Sequence, residues 1–323
     1  MPEDRGAWPT VRRVVKGLTT DRTRSWAKDA LSAWQMLKPV TPSFTYRNRE
    51  GLSAFDVTLP GRVRGEGVSA MLRVRNEESR IWDCLESILY AFDEIVVVDN
   101  ASTDSTEALL TRFKEERDDQ DVIRRFSYPF EIARLGRENA RTDEDSVHSV
   151  SYYYNWCLSK CRLAYVCKWD ADMFLLQEGR EGLRDFLRGL SAWHLDLGVL
   201  WIQTAYRDRA GRWFLARDEY NSEPMAWPNR ATLRFHKVDL YETLGWPPYA
   251  RFREWPPVHP PAFIYELKDT GEDEFSHWSP EDRENFPTER KQRELRNFES
   301  VRKGVVSAER FVELDPTILS SRP

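Results

Sequence analysis

The sequence predicts an α/β fold, with a Rossmann-like, mainly parallel sheet flanked by helices and a β-richer second half. Three observations carry that expectation. Short apolar runs at 68–74, 94–99 and 163–169 alternate with helical stretches at 79–92, 104–117 and 148–160, the order of a doubly wound sheet. The 94–99 run is short and continuously apolar at its centre, as in a strand covered on both faces. Each gives way to a polar residue, Asn76, Asp99 or Asp170, and such sheets bind ligands at the carboxyl ends of their strands.

Taken in order, residues 1–66 read as a partly helical N-terminal extension. Over 10–38, Arg12, Arg13, Lys16, Arg22, Arg24, Lys28 and Lys38 stand against Val14, Val15, Leu18, Trp26, Leu31, Trp34 and Leu37. That basic amphipathic pattern suits a helix packed on its own domain or one lying on an anionic membrane. Turn-rich residues 59–67 mark a boundary. The first strand, 68–74, leads into a helix whose Ile81, Trp82, Leu85, Ile88, Leu89 and Phe92 share one face. After the 94–99 strand, Asp104 is placed to cap a helix, with Glu107 as its reciprocal partner. A third strand is expected at 121–128, then a charged loop at 134–147, a helix at 148–160 and the strand ending at Asp170. Later strands are expected at 198–204, 212–216, 231–236 and 262–267, separated by Pro-rich loops at 245–248 and 255–261. A charged helix is expected over 279–303. The main domain is thus 67–280, divided at 172/173, and 281–323 form a C-terminal helix and tail.

Composition narrows the function classes. With 323 residues, 41% hydrophobic and 31% charged, the chain should fold, as one large domain plus extensions or as two small domains. A net charge of −5 gives no global case for nucleic acid as a partner. No apolar run is long enough to span a bilayer, and residues 1–20 lack a signal peptide's apolar core, so a cytoplasmic protein is expected. Cys84, Cys157, Cys161 and Cys167 fit reduced, packed thiols, because no second Cys/His pair follows the 157/161 spacing. Among the many aromatics after residue 190, most are expected in the core, though ring faces also suit sugar C–H groups.

Chemistry concentrates at Asp170, Ala171 and Asp172. Two carboxylates one residue apart at the end of a buried strand offer hard oxygens to Mg²⁺ or Mn²⁺, and are costly to place there without a counter-charge. Such a metal neutralises charge building on a leaving phosphate. The alternatives are structural. Asp99 suits a turn with Ser102, and Asn76 with Glu77 suits a helix cap.

The stretches 68–78 (VSAMLRVRNEE), 95–104 (IVVVDNASTD) and 169–173 (WDADM), in this order and spacing, resemble family 2 glycosyltransferases of the GT-A fold. A looser likeness covers 275–283, around His277. The resemblance implies a nucleotide-sugar donor, Mn²⁺ or Mg²⁺, and inverting transfer to a hydroxyl of a glycan or glycolipid acceptor, in cell-surface polysaccharide synthesis. It implies that 67–172 is the nucleotide-binding half and 173–280 the acceptor half. Asp99 would hold the ribose or base, Asn76 and Glu77 would lie beside the base, Asp170 and Asp172 would serve the ribose and the metal–diphosphate group, and His277 would be a further metal ligand or diphosphate contact. Peripheral association with the inner face of a membrane is compatible with the 10–38 segment.

Inverting transfer also needs a carboxylate to take the acceptor's proton. Asp218, Glu219, Glu254, Glu272, Asp273 and Glu274 all lie in the second half, with Glu254 the first choice and Asp273 the second. Arg137, Lys168, Arg230 and Arg234 are candidates to meet diphosphate or acceptor. Two rival readings stand beside this one. A sugar nucleotidyltransferase would carry a Gly-rich phosphate loop after the first strand, where this chain has Arg75, Asn76, Glu77 and Glu78. An inactive carbohydrate- or membrane-binding scaffold would have no use for the Asp170/Asp172 pair.

Overall fold

The computed structural model describes residues 43–61, 65–256 and 262–319. The expected helix at 10–38 lies outside the described residues. The strands are β1 (Phe44–Tyr46), β2 (Val57–Leu59), β3 (Val68–Val74), β4 (Glu94–Asp99), β5 (Ile123–Ser127), β6 (Tyr165–Asp170), β7 (Met173–Leu175), β8 (Asp196–Arg207), β9 (Trp213–Pro228), β10 (Phe235–Val238), β11 (Tyr241–Leu244), β12 (Arg251–Trp255), β13 (Ile264–Asp269) and β14 (Phe311–Leu314). The α-helices are α1 (Ile81–Ile88), α2 (Thr106–Arg117), α3 (Arg137–Arg141), α4 (Val150–Lys160), α5 (Arg180–Arg188), α6 (Pro280–Arg283) and α7 (Glu289–Arg302).

The main sheet runs β5-β4-β3-β6-β9-β8-β13-β7, with β12 added to β8 and β14 to β9. From β5 to β6 every pairing is parallel, as expected. Beyond β6 the sheet is mixed. β9 is antiparallel to both β6 and β8, so β8 runs with β6, and β13 is parallel to β8. The carboxyl ends of β3, β4, β6, β8 and β13 therefore point to one rim.

The strands are apolar on both faces because each face has its own cover. Ala70, Leu72 and Val74 pack with Ile81, Leu85 and Ile88 of α1 and Phe113 of α2. Met71, Val96 and Val98 pack on Tyr152, Tyr153 and Trp156 of α4. Val57 and Leu59 of the β1–β2 hairpin join that second layer, so the part of the expected extension from residue 43 onward contributes to the core. Cys84, Cys157, Cys161 and Cys167 are buried and free, and burial pushes the Cys157 thiol up to about 12. At the end of the sheet opposite the rim, buried Glu94 accepts from Ser69 Oγ (2.6 Å), Arg124 Nη1 (2.8 Å) and Arg162 Nε (2.7 Å), tying β3, β4, β5 and the entry to β6 together.

Three local expectations change. The strand expected at 231–236 starts only at Phe235, because residues 230–233 form a turn closed by Leu233 N donating to Arg230 O at 2.9 Å. The strand expected at 212–216 continues to Pro228, whose missing N–H suits a strand end. At α2 the capping box is not formed. Asp104 accepts from Thr106 N (3.0 Å) and Glu78 N (3.1 Å), while Glu107 reaches Arg125 at 3.6 Å.

Leu72 is fully buried in the central strand, so Leu72→Ala should cost roughly 2–5 kcal/mol. Tyr90→Ala, at a side chain 45% exposed, should cost well under half of that. Denaturant unfolding of the two variants checks the contrast, and equal losses would contradict this placement of the core.

Candidate active site

The rim is built by register. β3 pairs Val74 with Asp99 of β4 on one side and Arg73 with Asp170 of β6 on the other. Asp99, the β3 exit and Asp170 therefore stand side by side. The β3 exit turns sharply at Asn76, whose φ of 57° lies in the left-handed region that Asn tolerates. Asn76 N donates to Ser102 Oγ (2.9 Å), Ser102 Oγ donates to Asp99 Oδ1 (2.5 Å), and Thr103 N donates to Asn76 Oδ1 (2.8 Å). The two loops after β3 and β4 are thus stitched into one floor. Neighbouring Asn100, part of the 95–104 motif, donates from Nδ2 to Tyr128 O (2.9 Å) and Phe130 O (2.7 Å), fixing the exit of β5.

Asp170 is held by Arg73, and by Lys168 Nζ at 2.8 Å. Burial alone would raise its pKa, but Lys168 and Arg73 outweigh burial and hold it well below the usual carboxylate range. Lys168 also faces Glu223 of β9 at 3.9 Å, and Glu223 pairs with Arg290 of α7. Asp172, in the turn after β6, accepts from Lys268 Nζ at 2.6 Å, and Lys268 also pairs with Glu266 at 2.9 Å.

A second charged group lies beside this one. Glu77 Oε2 meets Arg80 Nε at 3.0 Å, and Arg80 also pairs with Glu274 (2.6 Å) and Glu272 (3.2 Å) from the loop after β13. Burial raises the Glu77 pKa to about 7, Arg80 opposes that shift, and Asp172 and Glu274 add to it. His277 lies further along the same chain segment with its residue surface open to solvent, and the protein packed around it together with Lys291 and Lys268 push its imidazole down to about 3. It is therefore neutral at pH 7, as a ligand imidazole must be.

The two expected bases are placed differently. Glu254 is exposed on β12, a strand separated from β6 by β8 and β9, and accepts from Trp201 Nε1 at 3.2 Å. Asp273 sits between the two glutamates that reach Arg80. It is exposed and pairs with Arg283 Nη1 at 2.9 and 3.1 Å. It lines a cavity of about 380 Å³ whose wall is built by Phe275, Phe286, Leu295 and Phe298. Of the expected basic contacts, Lys168 reaches the rim. Arg230 follows β9 near the amino end of β6, Arg234 lies over the Phe44 ring, and Arg137 faces Glu281 and Asp282.

Asp170 and Asp172 supply hard oxygens of the kind Mg²⁺ and Mn²⁺ take, so the donor chemistry fits such an ion. Both carboxylates are also paired with cations. Among the described residues no group of three His, Cys, Asp or Glu side chains is arranged to hold a metal.

Residues 69–128 match the model for Glycosyl transferase family 2. A poly-beta-1,6-N-acetyl-D-glucosamine synthase from Staphylococcus epidermidis is 28% identical over 96 residues, which are 29% of this chain and 21% of that protein. The chain thus spans about a fifth of the length of the curated relative it matches. Among solved structures, S. aureus TarS 1-349 is 16% identical and aligns over 62% of this chain and 60% of its own, with a TM-score of 0.36. Glucosyl-3-phosphoglycerate synthase from Mycobacterium tuberculosis, in complex with Mn²⁺, UDP and phosphoglyceric acid, is 19% identical over 44% of each chain, with a TM-score of 0.27.

Glu77 gives the free protein a pH signature. From its ordinary 4.5 up to about 7, the folded state keeps a proton that the unfolded chain has lost. Its contribution is therefore full below 4.5 and lost as pH rises through 7. Between about pH 5 and 7.5 the wild-type Tm should fall more than that of Glu77→Gln. Parallel Tm curves by calorimetry would remove Glu77 from this role.

Proposed function

We propose that this chain, whose residues 69–128 match the model for Glycosyl transferase family 2, is an inverting, metal-dependent glycosyltransferase. It would move a sugar from a nucleoside-diphosphate sugar to a hydroxyl of a glycan or glycolipid, in cell-surface polysaccharide synthesis. The observation that carries this reading is the common rim, where the β3–β4–β6 register sets Asn76, Asp99 and Asp170 side by side with Asp172 one turn further on.

In this reading Asp99, fixed by Ser102, takes the nucleoside's ribose or base edge, and Asn76 with Glu77 lines the base. Asp170 faces the ribose, and Asp172 would hold the divalent ion, with His277 as a further contact. Bound there, Mn²⁺ or Mg²⁺ would neutralise charge on the departing diphosphate. The acceptor oxygen attacks the anomeric carbon as the bond to diphosphate breaks, the bonding pair leaves with the diphosphate oxygen, and the acceptor's proton passes to a carboxylate.

Asp273 suits that last role better than Glu254, because its loop is tied to Arg80 at the rim by Glu272 and Glu274 and lines the adjacent cavity. Arg283 would have to release it. A chain-end segment such as 10–38 would bring the enzyme to a membrane-borne acceptor. Among the described residues no helix is long and apolar enough to cross a membrane.

Two measurements test this. UDP should raise the Tm of the wild-type protein more with Mn²⁺ than without, and Asp172→Asn should lose the difference; equal Tm gains in both would sink the metal role. With a transferable donor in hand, Asp273→Asn should lower kcat by about 10² or more while UDP affinity stays within about twofold, and Glu254→Gln should stay near wild type. The reverse pattern would move the base to β12.

A further inference from the structure

Lys268 is set against Asp172 by the backbone itself. β13 pairs antiparallel with β7, Glu266 opposite Met173, and Leu267 N donates to Asp172 O at 2.7 Å. The ladder that follows the Asp170–Asp172 turn thus brings Lys268 over that turn. Its side chain is 5% exposed, and its ammonium lies between Asp172 Oδ2 (2.6 Å) and Glu266 Oε1 (2.9 Å). The two carboxylates differ in kind. Glu266 belongs to the same strand, two residues earlier, and moves with Lys268. Asp172 belongs to the turn at the rim.

We propose that Lys268 is a positioning residue that occupies Asp172 as a resident counter-cation and yields it when a divalent ion arrives with the nucleotide, keeping Glu266 as its own partner. This rests on the reading of Asp172 as a metal ligand. A buried ammonium stripped of every partner would be strongly unfavourable, so a lysine with Asp172 alone could not let go. Glu266 removes that obstacle. Before exchange the pair at Asp172 is neutral. After exchange Asp172 serves the divalent ion and Lys268 remains neutralised by Glu266. Free metal must compete with a fixed ammonium for one carboxylate, whereas metal arriving with a diphosphate would bring phosphate oxygens of its own and negative charge that tip the competition. The arrangement therefore disfavours metal without nucleotide and couples the two.

The test is Mn²⁺ binding to the full-length protein, by electron paramagnetic resonance of free Mn²⁺, with and without UDP. Wild type should bind Mn²⁺ weakly alone and tightly with UDP. Lys268→Met keeps the packed stem and removes the charge, and should tighten Mn²⁺ alone by roughly tenfold or more, shrinking the UDP effect. Glu266→Gln, which removes the other ion-pair partner of Lys268 and leaves Glu294 and Glu274 acting on it without an ion pair, should weaken Mn²⁺ binding. Lys114→Met removes a charge that pairs with Asp121 at the end of α2 away from the rim and should change Mn²⁺ affinity much less. Circular dichroism confirms that each variant is folded. Wild type and Lys268→Met binding Mn²⁺ equally, or Lys114→Met matching Lys268→Met, would overturn the proposal while leaving the metal reading intact. Absence of Mn²⁺ binding in all proteins, with UDP present, would overturn both.

Discussion

The central constraint is the pairing of β3 with β4 on one side and β6 on the other, both in parallel. Parallel strands end at one rim by necessity, so a fixed register is also a fixed placement of the residues at each strand's carboxyl end. Here those residues are Asn76, Asp99 and Asp170. The pairing is held from the other end. Buried Glu94 and its arginine partners clamp the strand beginnings, and two apolar layers press on the faces. The rim can therefore carry left-handed backbone and clustered charge that would destabilise a less firmly held sheet.

Charge at the rim is nearly self-cancelling. Asp170 has Arg73 and Lys168, Asp172 and Glu266 share Lys268, and Glu223 has Arg290. Buried carboxylates in such numbers are tolerable only with partners, and removing one partner from such a set costs more than the pair contributes. The cost of burying these groups is met within the protein, so an incoming anionic ligand and its counter-ion must rearrange pairs and not simply fill a charged hollow.

Much of this was legible in the sequence, and the reasons are specific. β3, β4 and β6 are short and mostly apolar, as strands covered on both faces tend to be, with Arg73 and Lys168 coming only near their carboxyl ends. The Asp99 turn and the Asp170–Asp172 pair follow directly from their strands, so local sequence located them. β9 was half missed because Glu219 and Glu223 break its apolar pattern. Glu219 accepts from Tyr206 and Asn297, and Glu223 from Arg290, partners 13 to 78 residues away in the chain. Lys268 and Arg80 were missed for the same reason. Their significance comes from contacts with Asp172 and Glu274, 96 and 194 residues distant, which no window along the chain reveals. The placing of Glu254 likewise depends on β12 joining β8 at the sheet's edge, a long-range pairing.

β9 spans Trp213–Pro228 and touches β6, β8 and β14 along its length. A strand shared in this way leaves no seam between the regular first half of the sheet and the irregular second. Neither half can be melted, clipped out or exchanged for a homologous piece while the other keeps its hydrogen-bonded neighbour. The molecule should therefore lose its order in a single cooperative step, and a crossover placed after Asp172 would part β6 from its β9 neighbour.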